Sequence, residues 1–342
     1  MPVKTSSYRP PWWLNNKHAQ TIIGLMVRLP VSLKLSYEYI ELPDGDFLEL
    51  AWAGTKGPIT LFLSGVEGNC LESTYARSIL KNIVSRGNRA VFVHHRGCGT
   101  RLNRLHRSYL AGDTADIRYV INEIHRREPS TTLYAVGISI GANKLLKYLG
   151  EDGAKTPIQK AFAASVPFEI GTTISVLNQS LGGFYQRAIL RWLRRRLYQK
   201  MNQLDYSSFF SITQKGISKI QTLRDFDQLI TLPITGLTDL DDYYTQASCR
   251  AHLHKIQVPT LIVHAQDDTF MTPASIPNDH EISHTTTLEL SAGGGHVGFV
   301  HGVFPWSPRY WLEERIVSFL NLQAPETSPK NFSSPTTAAP SI

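Results

Sequence analysis

Gly137-Ile138-Ser139-Ile140-Gly141 follows a short apolar run at residues 133–136 and opens a stretch with helical spacing. A serine on a tight strand-to-helix turn sits in a strained backbone conformation. Its neighbours two residues on either side must therefore be small, and both are glycine. The helix that begins there aims its free N–H groups back at the serine. The competing reading is an ordinary glycine-rich turn with a bystander serine. The strand–turn–helix setting favours a nucleophile.

Outward from this turn, short apolar runs and helical stretches alternate. Residues 37–42 and 47–52 flank Pro43-Asp44-Gly45-Asp46 and read as a hairpin. Residues 59–63 and 90–95 read as strands, and residues 74–84 as a helix between them. Residues 112–127 read as a helix with Asp113 and Asp116 near its start, where negative charge suits the dipole. Residues 161–166, 260–264 and 286–290 are further apolar runs, and 309–320 a last helix. The pattern is an α/β fold, a mostly parallel sheet with helices on both faces. Between residues 168 and 256 the alternation gives way to helical pattern, which reads as a cap inserted over the strand ends. The expected organisation is a core of residues 1–167 with an N-terminal arm, a helical cap at 168–256, and a second core part at 257–323. A disordered tail rich in Pro, Ser, Thr and Ala then covers 324–342.

A serine is a poor nucleophile without a base, and the base needs an orienting acid. In this architecture the chain order is Ser, then Asp or Glu, then His. Asp267 and Asp268 follow the run 260–264, and His296 sits in Gly293-Gly294-Gly295-His296-Val297-Gly298 after the run 286–290. Asp268 is the first choice for the acid and Asp267 its rival. Ser64-Gly65-Val66-Glu67-Gly68 follows the run 59–63, where a loop can present a backbone N–H to a developing oxyanion. Val66 and Ile140 are the expected donors.

Composition narrows the alternatives. Of 342 residues, 42% are hydrophobic and 18% charged, enough for a sizeable core and unlike a disordered chain. Three cysteines, Cys70, Cys98 and Cys249, make neither a disulfide scaffold nor a C-x-x-C pair. No run of about 18 apolar residues exists to span a membrane, and no apolar signal core follows Met1, so the expected location is cytoplasmic. His94 and His95 are adjacent on a strand end and face opposite ways, and no Cys/His cluster supports zinc, so no metal is expected. Gly293, Gly295 and Gly298 spell a dinucleotide fingerprint, but no βαβ unit follows, and no cofactor is expected. The net charge is +7. Arg187, Arg191, Arg194, Arg195, Arg196 and Lys200 crowd residues 184–200, opposite Ile189, Leu190, Leu193 and Leu197. Such a helix either touches an anionic membrane or packs on its own domain with a solvated basic face. No motif supports nucleic-acid binding.

With these residues in place, the chain resembles the α/β-hydrolase superfamily, and within it the YheT-like hydrolases, whose animal relatives are membrane-anchored lipid hydrolases. Matching segments include Pro11-Trp12-Trp13-Leu14, His95-Arg96-Gly97-Cys98, Phe226-Asp227, Asp242-Tyr243-Tyr244 and Gly294-Gly295-His296-Val297-Gly298-Phe299. The resemblance implies a serine esterase on short- to medium-chain, including lipid-derived, esters, with Ser139 as nucleophile, Asp268 as acid and His296 as base. It departs in two places. Ser64 stands where the family has histidine before the oxyanion glycine, and Thr269 follows Asp268 where proline is usual. No counterpart of the animal relatives' anchor is expected. Acyl transfer at the same site, and ligand binding by a failed site, are the alternative functions.

Overall fold

The computed structural model describes residues 2–66 and 69–322, apart from the side chain of Met26; the expected tail at 324–342 lies outside them. The first half of the chain runs β1 (Val3–Thr5), α1 (Lys17–Met26), β2 (Ser36–Glu41), β3 (Phe47–Ala53), β4 (Ile59–Leu63), α2 (Thr74–Val84), β5 (Arg89–Val93), α3 (Ala115–Arg127), β6 (Leu133–Ile138), α4 (Ile140–Asp152) and β7 (Ile158–Ala164). A helical segment follows: α5 (Ile170–Gln179), α6 (Phe184–Met201), the short α7 (Gln214–Ile217), α8 (Leu223–Phe226) and α9 (Leu232–Thr235), then α10 (Leu240–Ala247). The chain then returns to the sheet with β8 (Thr260–Ala265) and β9 (Thr286–Ser291). It ends in the pair β10 (Val300–His301) and β11 (Arg309–Tyr310) and in α11 (Trp311–Leu320).

The main sheet has the order β1-β9-β8-β7-β6-β4-β5-β3-β2. Its strands are parallel from β1 through β5, whereas β3 pairs antiparallel with both β5 and β2. The chain is an α/β-hydrolase fold with helices on both faces. Alternation along the strands divides the core. Leu61, Val91 and Ala135 face the apolar sides of α3 and α4, while Phe62, Phe92 and Val136 face α2 and α11. Central strands are buried on both faces, which is why they read as unbroken apolar runs.

Local chemistry shifts several boundaries from their expected places. The helix read from residue 112 starts at Ala115, because Asp113 Oδ1 accepts the Ala115 N–H at 3.0 Å and so stands outside it. The strand read to residue 95 ends at Val93, where His94 and His95 turn their rings to backbone partners. The last helix begins at Trp311, since Arg309 and Tyr310 pair with His301 and Val300. β1 and α1 were not read as elements of the N-terminal arm. β1 joins the sheet edge beside β9.

α6 departs most from expectation. Arg187, Arg191 and Arg195 are exposed. Lys200 is instead buried, donating to Asn103 Oδ1 at 2.9 Å and to the carbonyls of His106 and Arg107 at 3.0 and 3.1 Å. Arg196 donates to the carbonyls of Cys98 and Gly99. A solvated face of six cations is therefore incorrect, because two of them turn inward to donate to carbonyls of the 98–107 loop.

Candidate active site

Ser139 has φ 54° and ψ −124°, a left-handed conformation costly for a residue with a side chain. The surroundings fix it. Its N–H donates to Ala164 O at 2.9 Å, and its carbonyl accepts from Ala142 and Asn143 N–H at 2.9 and 3.1 Å. The two flanking glycines are required by close approach. A Cβ on Gly137 would lie 2.7 Å from Ala142 Cα, and one on Gly141 would lie 2.3 and 2.4 Å from the carbonyl oxygens of Leu63 and Ser64. The turn thus holds the serine at the end of β6 with the first turn of α4 pressed against the end of β4.

His296 comes from the glycine-rich loop after β9. Its Nε2 lies 2.9 Å from Ser139 Oγ, and its Nδ1 lies 3.1 and 3.0 Å from the two carboxylate oxygens of Asp268. A carboxylate only accepts, so Nδ1 carries the proton and Nε2 offers its lone pair to the serine hydroxyl. Asp268 and His296 are buried, and the Phe270 ring stacks on the imidazole at 3.9 Å between centroids. Asp268 Oδ1 also accepts the Phe270 N–H at 2.8 Å. From the opposite side, Thr21 of α1 accepts the His296 N–H at 2.9 Å and contacts the Thr269 hydroxyl at 3.1 Å.

Asp267 points elsewhere. Its Oδ1 accepts the Gly295 N–H at 2.9 Å, which ties down the loop that carries His296. Burial pushes its carboxyl above the usual range, an effect the Gly295 bond opposes.

Val66, Ile140, Ser139 and His296 line one cavity of about 460 Å³. Ile140 opens α4, so its N–H has no acceptor within the helix. Glu67 and Gly68 of the expected oxyanion loop lie outside the described residues. The wall opposite the serine is apolar and comes largely from the helical segment, including Ile174, Leu177, Ile189 and Leu193.

The remaining histidines singled out in the sequence have backbone partners. His94 Nδ1 donates to Glu49 O at 2.9 Å and its Nε2 accepts from Cys70 N–H, whereas His95 Nε2 donates to Ser64 O at 3.0 Å. Among the described residues, no three His, Cys, Asp or Glu side chains group so as to hold a metal. No helix among them is long and apolar enough to cross a membrane.

Three contributors were given no role in the sequence reading. Phe270 lies two residues beyond Asp268, and Thr21 falls on a helix that was not read. Asp227 is a half-buried residue in the cavity wall, on a single π turn, Asp227–Thr231. It accepts from Thr231 Oγ1 at 2.7 Å and Tyr244 Oη at 3.0 Å, and burial raises it to about 6 against those bonds.

The family described as "Serine aminopeptidase, S33" matches residues 62–297. The protein named as esterase YheT in Escherichia coli (strain K12) is 33% identical over 92% of this chain and 93% of its own. The chain is a YheT-like α/β-hydrolase. Monoacylglycerol lipase of Saccharomyces cerevisiae is 32% identical over 88% of this chain and 66% of its own. Phospholipase ABHD3 of Mus musculus is 29% identical over 89% and 76%. Among solved structures, Pyrococcus furiosus esterase Pf2001 shares the fold with a TM-score of 0.55 at 15% identity, over 87% of this chain and 98% of that one. This YheT-like chain is an enzyme of the esterase and lipase type.

Proposed function

We propose that the chain hydrolyses carboxylic esters of short- to medium-chain acids, lipid-derived esters included, through an acyl-enzyme on Ser139. The observation that carries this is the continuous hydrogen-bonded series from Asp268 through His296 to Ser139 Oγ. His296 Nε2 takes the hydroxyl proton as Ser139 Oγ attacks the ester carbonyl carbon. The oxyanion accepts from the N–H groups of Val66 and Ile140. Collapse breaks the ester C–O bond, and His296 returns its proton to the leaving alcohol. Water, deprotonated by His296, then attacks the acyl-enzyme and releases the acid. Asp268 holds the tautomer throughout and stabilises the imidazolium.

Residues 168–256 serve as a cap between the core parts 1–167 and 257–323, and their apolar wall receives the acyl chain. That reading draws support from the lipase and phospholipase names of the relatives. The three exposed arginines of α6 supply about 3 kcal/mol at an anionic lipid surface, short of stable attachment, so contact there is transient.

The experiment is labelling with a fluorophosphonate probe alongside ester hydrolysis, in the wild type and Ser139→Ala. The expected result is stoichiometric labelling of the wild type and none of the variant. The variant should lose more than about 1000-fold in kcat with its melting temperature unchanged. A folded variant with near wild-type hydrolysis removes Ser139 from the reaction. Adding a competing alcohol and analysing products separates hydrolysis from acyl transfer.

A further inference from the structure

Two consecutive peptide units lead into the oxyanion position, and side chains hold both. The unit joining Ser64 to Gly65 is tied at each end: its carbonyl accepts from His95 Nε2 at 3.0 Å and its N–H donates to Tyr75 Oη at 3.2 Å. The next unit joins Gly65 to Val66. Its carbonyl accepts from the Ser64 hydroxyl at 3.3 Å. In a trans peptide the carbonyl and the N–H point in opposite directions, so drawing Gly65 O back over Ser64 turns the Val66 N–H away from it. Gly65 itself lies against the nucleophile, for a Cβ built on it would fall 3.3 Å from Ser139 Cβ.

We infer that His95 and Ser64 act together as positioning residues that aim the Val66 N–H at the reacting oxygen, an inference that rests on the acyl-enzyme reading above. The serine that replaces the expected histidine thus keeps a task in the loop, and the turn after β5 supplies an imidazole from the side.

Donor and acceptor chemistry fixes the His95 ring. Ser64 O can only accept, so Nε2 carries the proton and Nδ1 a lone pair. Lys144 Nζ lies 3.4 Å from Nδ1. Both groups are buried, and both flank the Tyr109 ring, with His95 stacked on it at 5.4 Å and Lys144 at 5.2 Å. Burial first and the Lys144 charge second hold the His95 imidazole well below its usual range, with His94 adding to that and the Ser64 bond opposing it. The ring therefore remains a neutral Nε2–H donor. Lys144 is countered by Asp113 and Asp116, with Arg107 opposing them. Ser64 and His95 lie just past the ends of β4 and β5, and Lys144 lies on α4, so the loop is set by the strand ends and the helix behind the nucleophile.

The test is steady-state kinetics on a soluble ester with three variants. His95→Phe keeps the stacking on Tyr109 but cannot donate. It should lower kcat about tenfold or more with KM within about twofold, because the donor acts on the transition state. His95→Gln places an amide N–H near the former Nε2 and should recover kcat to within about threefold of wild type. Ser64→Ala should lower kcat about fivefold, again with little change in KM. A folded His95→Phe with wild-type kcat overturns the inference, as do Phe and Gln variants impaired alike. Should His95→Phe fail to fold, nitrogen-15 resonances of the wild-type ring decide. An Nε2-protonated neutral ring from pH 6 to 9 upholds the inference, and an Nδ1-protonated or cationic ring overturns it. Fluorophosphonate labelling of Ser139 keeps the two readings apart. In His95→Phe the label should go on to completion at a reduced rate, whereas activity retained in Ser139→Ala removes the acyl-enzyme reading itself.

Discussion

Asp267 and Asp268 are chain neighbours with different partners. Both follow β8, and sequence could only rank them, because adjacent residues on a turn are distinguished by side-chain direction, which depends on what the other loops present. The folded chain gives Asp268 to the imidazole and Asp267 to the Gly295 N–H. Substitution should separate them sharply. Asp268→Asn puts an amide opposite His296 Nδ1, favours the wrong tautomer and should lower kcat about 10,000-fold. Asp267→Asn still accepts from Gly295 through its own Oδ1 and should stay within about fivefold of wild type. Steady-state kinetics on the two variants is the check, and equal losses would make Asp267 part of the proton chain. Ser139 and His296 could be singled out where Asp268 could only be ranked above Asp267, since each carries a local signal: paired small residues around the serine, and a glycine-rich loop around the histidine. Phe270 carries no such signal, because any apolar residue after a strand reads as core.

Elements were legible in proportion to their length and burial. The central strands announce themselves as apolar runs, whereas β1, with three residues and no alternation to display, is defined only by its pairing with β9. α6 shows the limit of amphipathic reading: periodicity separates apolar from charged positions but does not tell a solvated cation from Lys200, which caps three carbonyls of a loop about 95 residues away in sequence. β8 holds a further consequence. His264 is fully buried, its ring 5.3 Å from that of Phe168, and neither ring nitrogen has a hydrogen-bond partner among the described residues. Burial depresses it to about 4, with Asp268 opposing. The unfolded chain protonates near 6.5, so it binds the proton that the folded chain refuses. Stability is then complete above pH 6.5 and falls as pH drops toward 4, by up to about 3 kcal/mol from this residue. Denaturant unfolding at pH 7 and pH 4.5 should show that loss in the wild type and a smaller one in His264→Leu. Equal slopes in the two proteins would place the acid sensitivity elsewhere.

At the scale of the whole molecule, the cavity belongs to no single element. Ile22 and Leu25 of α1, Ser139 and Ile140 at the sheet, and Ile174 and Leu193 of the helical segment all line it. The helical segment keeps its own apolar cluster around Leu190, Leu197, Tyr206 and Phe226, so it is built as a body and its inner face is set by that body's packing. This is why the sequence points to the chemistry of the site and not to the size of the chamber above it. If the acyl chain runs along this face, filling it should cost long acyl groups and spare short ones. Leu193→Trp adds bulk to the α6 wall. Each methylene excluded from apolar surroundings is worth about 0.8 kcal/mol, so the four that separate an octanoate from a butyrate ester amount to about 3 kcal/mol, a ceiling near 200-fold. The ratio of kcat/KM for octanoate over butyrate should therefore fall at least about tenfold, while butyrate hydrolysis stays within about threefold. Thermal unfolding of the variant controls for overpacking. A ratio that does not move in a stably folded Leu193→Trp would send the acyl chain along another wall, toward α1 or the Asp227 turn.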